Sequence, residues 1–327
     1  AEDASGELYV VGYSGEIYAL KPPEGVADTS FPRRLRDTGC VESDDPTQVV
    51  SGMLPYSVNA PFWSDGAEKE RFFALPDGTQ ITIEDDGDFS FPIGSVTLKT
   101  FWLAGQRIET RLFVRHDDGE WGGYTYIWNE AQTGAEFLPG GTILDVEGQT
   151  WEVPSSAQCG TCHTPAAGHT LGLEVGQLNR FTDYPETGRR AHQLRTLEHI
   201  GLFSGGLSGP PETRPDYSGG GAAELEGRVR AWLHTNCAGC HRPGGTGLVD
   251  MDLRFQTTLS DTNICDVPGE IGDLGVSGAR RIRPGDAARS LIAIRAGRRD
   301  GLMMPPLGTA LVDADGMAEL EAWITAL

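Results

Sequence analysis

Two short segments of the chain carry residues spaced for chemistry: Cys159-Gly-Thr-Cys162-His163 and Cys237-Ala-Gly-Cys240-His241. Thiols three positions apart lie on one helical turn, where both can add to the two vinyl groups of a haem. The His that follows sets an imidazole beneath the iron. A bare C-x-x-C also serves dithiol redox chemistry or half of a zinc site. The His directly after each pair argues against both, and so does the long Gly- and Pro-rich stretch between the pairs. The expectation is two covalently bound c-type haems, anchored by Cys159, Cys162, Cys237 and Cys240, with His163 and His241 as proximal iron ligands.

These residues need elements to position them. Residues 222–235 carry Leu225, Val229 and Trp232 at helical spacing, so a helix delivers the second motif. A Gly-rich loop (242–249), a helix over 287–296, the segment Leu302-Met-Met-Pro-Pro-Leu307 and a helix over 313–327 follow. That order resembles a class I cytochrome c domain across about residues 220–327. The resemblance implies Met304 as the distal thioether, with Met303 as its rival, and electron transfer as the use of the haem. Met53, Met251 and Met317 read as core fillers.

Upstream, residues 70–153 read as β-structure. Val96, Leu98 and Phe101 fall in one run, Leu112 and Val114 alternate with Arg111 and Arg115, and Tyr124, Tyr126 and Trp128 share a face. Asp77-Gly78, Asp86-Gly87 and Asp118-Gly119 mark turns. Lys99 reads as a solvent-facing strand lysine, and Glu109, Arg111, Arg115 and His116 as alternation on a solvated sheet face. The segments 54–71, 91–101, 109–115 and 123–129 resemble a family of bacterial dihaem c-type cytochromes, from about Phe31 to the C-terminus. That resemblance implies a periplasmic dihaem redox protein. Residues 6–20, alternating around Ser14-Gly15, resemble the last strands of a propeller blade in quinone-dependent sugar dehydrogenases. A β-domain ending in C-x-x-C-H is also similar to the β-sheet cytochromes c-prime and to lysine-crosslinked haem enzymes, where Lys99 would be the linking residue.

The expected fold class is α+β: a β-sheet or sandwich domain bearing one haem, then an all-α class I cytochrome c domain bearing the other. The expected domains are a hairpin and linker (1–30), a β-rich domain (31–203) and the cytochrome domain (222–327). Their boundary falls in the Gly/Pro-rich residues 204–221.

The sixth ligand of the first haem stays open. His192 and His199 lie seven apart on a helix expected over 191–202, and so share a face. His169 is only six residues beyond His163 and would have to wrap the macrocycle edge. A Met, a Tyr or an open iron complete the choices, while His116 and His234 read as surface or core histidines.

The formal net charge of −21 argues against nucleic acid and anionic membrane as partners. No apolar run approaches the roughly 20 residues of a bilayer span, and no signal peptide opens the chain. With haem attachment completed outside the cytoplasm, a mature periplasmic or secreted form, or a fragment, is expected. The two cysteines outside the motifs, Cys40 and Cys265, are expected to form a disulfide there. The expected function is electron transfer from a dehydrogenase to a downstream acceptor, with redox proteins as partners. The alternative is a dihaem redox enzyme, peroxidase-like or reacting with nitrogen oxides, with an open site at the first haem.

Overall fold

The computed structural model describes residues 9–11, 17–19, 31–184, 187–207, 209–217 and 224–327. Strands β1 (Tyr9–Val11) and β2 (Ile17–Ala19) pair antiparallel within a unit of their own, Ala1–Arg33. The Ser14-Gly15 turn between them lies outside the described residues. Arg34–Leu327 forms a second compact unit, and residues 204–221 run within it.

The second unit is built on one six-stranded antiparallel sheet. In chain order come β3 (Leu54–Pro55), β4 (Glu68–Ala74), the small hairpin β5 (Thr82–Ile83) and β6 (Phe89–Ser90), then β7 (Val96–Leu103), β8 (Gln106–Arg115), β9 (Trp121–Trp128) and β10 (Ala135–Phe137). The sheet order is β10-β9-β8-β7-β4-β3. Strands β7 and β8 join through Ala104-Gly105, both at positive φ, the two-residue turn whose twist suits a tight hairpin. One face of the sheet buries Leu98, Leu112 and Tyr126. Its polar rungs are satisfied there too: the Thr100 and Thr110 hydroxyls meet at 2.8 Å and Trp128 Nε1 donates to Thr110 at 2.9 Å.

A second hairpin, β11 (Thr142–Val146) and β12 (Gln149–Val153), packs Trp151 and Val153 against Phe101 and Ile108 and leads into α1 (Cys159–Cys162). Beyond it come α2 (Val175–Leu178), the hairpin β13 (Phe181–Tyr184) and β14 (Arg189–His192), and α3 (Gln193–His199). The helix expected over 191–202 is thus shorter, its first residues being strand. Helices α4 (Leu225–Cys237), α5 (Leu291–Ala296) and α6 (Ala314–Ala326) complete the chain. Val229, Trp232 and Leu233 of α4 pack on Leu320, Trp323 and Ile324 of α6, with Met317 in the same core. Asp313 starts α6 by accepting from Gly316 N at 3.0 Å, and its other oxygen takes the Trp232 indole N–H at 2.7 Å.

The expected fold class is corrected on one point. The chain is β-rich, about 25% strand and 21% helix, and its described residues form no all-α cytochrome c domain. The three helices expected after residue 222 exist, but long irregular segments separate them. The chain from 242 to 290 is punctuated by Gly, Pro and Asp, which favour turns over helical hydrogen bonds. The expected disulfide is also absent: Cys40 and Cys265 are both free thiols. Cys40 is buried within electrostatic reach of Tyr126 of the sheet, whereas Cys265 bridges to Ile282 beside the helical core.

Candidate functional site

Strand register sets three rows of side chains on the other face of the sheet. Across β4, β7, β8 and β9 these are Phe73, Thr97, Phe113 and Gly123; Arg71, Lys99, Arg111 and Thr125; and Lys69, Phe101, Glu109 and Ile127. This face is not solvated as expected from the alternation. It walls a partly open cleft of about 180 Å³, smaller than the roughly 300–1,000 Å³ of ordinary ligand pockets. The opposite wall holds Cys159, Cys162 and His163 of the first motif, then His234, Gly239 and Arg242 around the second.

At the first motif the His163 imidazole is oriented and neutral. His163 Nδ1 donates to the His169 carbonyl at 2.6 Å, which leaves Nε2 as an unprotonated donor atom. Burial, followed by the charge of Lys99, lowers the His163 pKa to about 3. Phe113 of the sheet packs on this ring at 4.4 Å between centroids. Gly123 makes room for the motif: a Cβ there would stand 2.4 Å from Cys159 Sγ. Gly123→Ala is therefore expected to cost about 1–3 kcal/mol by overpacking, read as a lower melting temperature. A variant as stable as wild type would contradict the close approach.

The second motif continues α4. His241 N donates to Cys237 O at 2.9 Å, and burial, with Arg295 and Arg281 nearby, lowers the His241 pKa to about 4. Its Nδ1 is buried without a hydrogen-bond partner, and a Cβ on Gly247 would come within 2.4 Å of it. Met304 N donates to Arg295 O at 3.0 Å, which ties the Met304 loop to the end of α5 beside His241. The loop after it is held by buried Asp65, which accepts from Thr309 Oγ1, Ala310 N and Leu311 N at 2.6, 2.8 and 2.9 Å. Met303 instead lines a separate shallow cleft with Arg299 and Leu311.

The two motifs touch. Thr164 Oγ1 donates to Gly239 O at 3.3 Å, Thr246 Oγ1 to Thr161 O at 3.0 Å, and Cys240 Sγ to Thr161 O at 3.2 Å. The Cys162 and Cys240 thiols are close enough to influence each other's titration. That influence lowers Cys240 to about 6 and, with burial, raises Cys162, so one proton leaves readily and the second does not.

The residues expected to supply a sixth ligand are not gathered in the cleft. His192 stands at the start of α3 against Phe181, and His199 is exposed at that helix's end. His169 stacks on Trp121 and donates its Nδ1 proton to His163 O. Among the described residues the only imidazoles lining the cleft are those of His163 and His234, and no Met is among its lining residues. His234 is committed elsewhere, with Nε2 on Glu174 at 3.1 Å and Nδ1 accepting from Phe255 N at 3.1 Å.

Sequence reading passed over that Glu174, which is buried and also paired with Arg214 at 3.1 Å. It also passed over Arg71 and Lys69, and read Lys99 as solvent-facing, whereas all three line the cleft. Nothing local distinguishes these from surface charges, since only strand pairing turns them inward. Among the described residues no group of three or more His, Cys, Asp or Glu could hold a metal ion, so the four thiols do not form a zinc cluster. Nor is any helix among them long and apolar enough to cross a membrane.

No family model, curated protein or solved structure matches this chain, so its function rests on the residues themselves.

Proposed function

We propose that the chain is a dihaem c-type redox protein that passes electrons between two adjoining sites. The observation that carries this reading is the direct contact of the two C-x-x-C-H segments at the wall of one cleft. The donor set fits the group. Cys159 and Cys162 with His163 would hold one haem, and Cys237 and Cys240 with His241 and Met304 the other. A haem so bound supplies one-electron chemistry at its iron, and a thioether ligand raises its potential relative to two imidazoles.

The chain's own residues prepare both sites. The His169 carbonyl fixes the tautomer of His163, and burial keeps both proximal imidazoles neutral and able to bind metal. Arg71, Lys99 and Lys69 line the cleft where a haem's carboxylates would lie, and a carboxylate there would offset the burial that lowers Lys99 to about 7 and Lys69 well below its ordinary value. Because Cys240 Sγ sits on the Thr161 carbonyl of the first motif, groups carried on the two motifs adjoin, which favours fast transfer between them. The reading implies a periplasmic or secreted protein, since this attachment is completed outside the cytoplasm, with a dehydrogenase as donor and a second redox protein as acceptor.

A second reading has its own support. With no Met and no uncommitted imidazole opposite His163, the first site suits a small exogenous ligand, such as peroxide or a nitrogen oxide.

Absorption spectra with and without carbon monoxide and cyanide test both. Two low-spin haems inert to these ligands would leave relay alone, while one high-spin, ligand-binding haem would make the first site reactive. Met304→Ala is expected to lower the potential of one haem and abolish its thioether-to-iron band, leaving the other haem unchanged. An unaltered spectrum would remove Met304 from the ligand set.

A further inference from the structure

We infer that the row Arg71, Lys99 and Arg111, with Lys69 one row along, is a binding site for a carboxylate or small oxyanion inside the cleft. Register sets these groups side by side across β4, β7 and β8, and like charges directly opposite one another oppose sheet pairing. Only Arg111 has a carboxylate partner, Glu109, whose oxygens also take the Trp151 indole N–H at 3.0 Å. Lys99 Nζ has the Leu171 carbonyl at 3.3 Å, Arg71 Nη1 the Lys69 carbonyl at 3.1 Å, and Lys69 Nζ the Phe62 carbonyl. Carbonyl oxygens satisfy donors but do not cancel charge, and buried cations left uncancelled are strongly unfavourable. An anion with two or more oxygens suits the set, because a guanidinium offers a flat fork of donors and each ammonium a point charge.

Two sources present that chemistry: the propionate carboxylates of a haem held by Cys159 and Cys162, and a free oxyanion entering the cleft. The inference rests on the dihaem reading for the first source only.

The test uses the purified haem-loaded protein and its Lys99→Met, Arg71→Gln and Lys99→Arg variants. Each is measured for covalent haem, melting temperature, the potential of each haem, and nitrite binding by calorimetry. Haem carboxylates as the anion would give lower melting temperatures in Lys99→Met and Arg71→Gln. One potential would fall, nitrite would not bind, and Lys99→Arg would restore both properties. A free oxyanion would give nitrite binding in wild type that weakens about tenfold or more in Lys99→Met and Arg71→Gln and recovers in Lys99→Arg. The inference is overturned if Lys99→Met and Arg71→Gln melt higher than wild type with potentials unchanged and nitrite binding absent or equal in all four proteins. Absence of haem from wild type would defeat the dihaem reading by itself, and the calorimetry would still decide whether the row binds an anion.

Discussion

Replacing Glu174 with Ala is expected to destabilise the protein by roughly 3–5 kcal/mol at neutral pH, the range for removing one partner of a buried ion pair. The carboxylate is almost fully buried and accepts from Arg214 Nε at 3.1 Å, Arg214 Nη2 at 3.2 Å and His234 Nε2 at 3.1 Å. Without it, Arg214 keeps only Glu212, which is half exposed, as an acidic partner. The pH dependence follows from the carboxyl's own titration. Burial alone would raise its pKa, but His234 and then Arg214 outweigh burial and bring it down to about 2. A depressed carboxyl contributes stability that is present above its unfolded value, near 4.5, and is lost as pH falls toward 2. The gap between wild type and Glu174→Ala should therefore be widest near neutrality and shrink through that acid window. Denaturant unfolding at pH 7 and pH 3 measures it, and a gap that does not change with pH would show that the pair is not the source. The site depends on this pair because Glu174 lies shortly after the first motif and His234 shortly before the second.

The second large effect concerns attachment. Changing Cys159 and Cys162 together to Ser is expected to leave one covalent haem per chain, while the band assigned to Met304 persists. The matching change of Cys237 and Cys240 should remove that band and keep the other haem. Both doublets alter cysteines where the two motifs meet, so some loss of stability is expected in each, and haem is therefore counted on folded material. Equal loss of both haems in both variants would mean that the two attachments are not independent.

The motifs were legible in the sequence because they are local: two thiols and an imidazole within five residues need no tertiary information. Helix α4 was legible for the same reason, since Val229 and Trp232 repeat at helical spacing. The inner face of the sheet was not. Lys99 and Arg111 alternate with Leu98 and Leu112 just as surface charges would, and only the packing of α1 and α4 over that face makes it interior. The all-α expectation failed because a C-x-x-C-H and a Met-Pro segment describe donor atoms and carry no information on the chain between them. His192 and His199 were joined by a helical period that begins only at Gln193. An even cysteine count likewise carries no distance between Cys40 and Cys265.

The most direct measurement is the covalent haem count of the protein expressed in a host that attaches c-type haem, taken from intact mass after denaturation and from the haemochrome spectrum. The account predicts two haems per chain that survive denaturation, one on each motif. A chain that carries none under those conditions, or holds its cofactor only loosely, would contradict it.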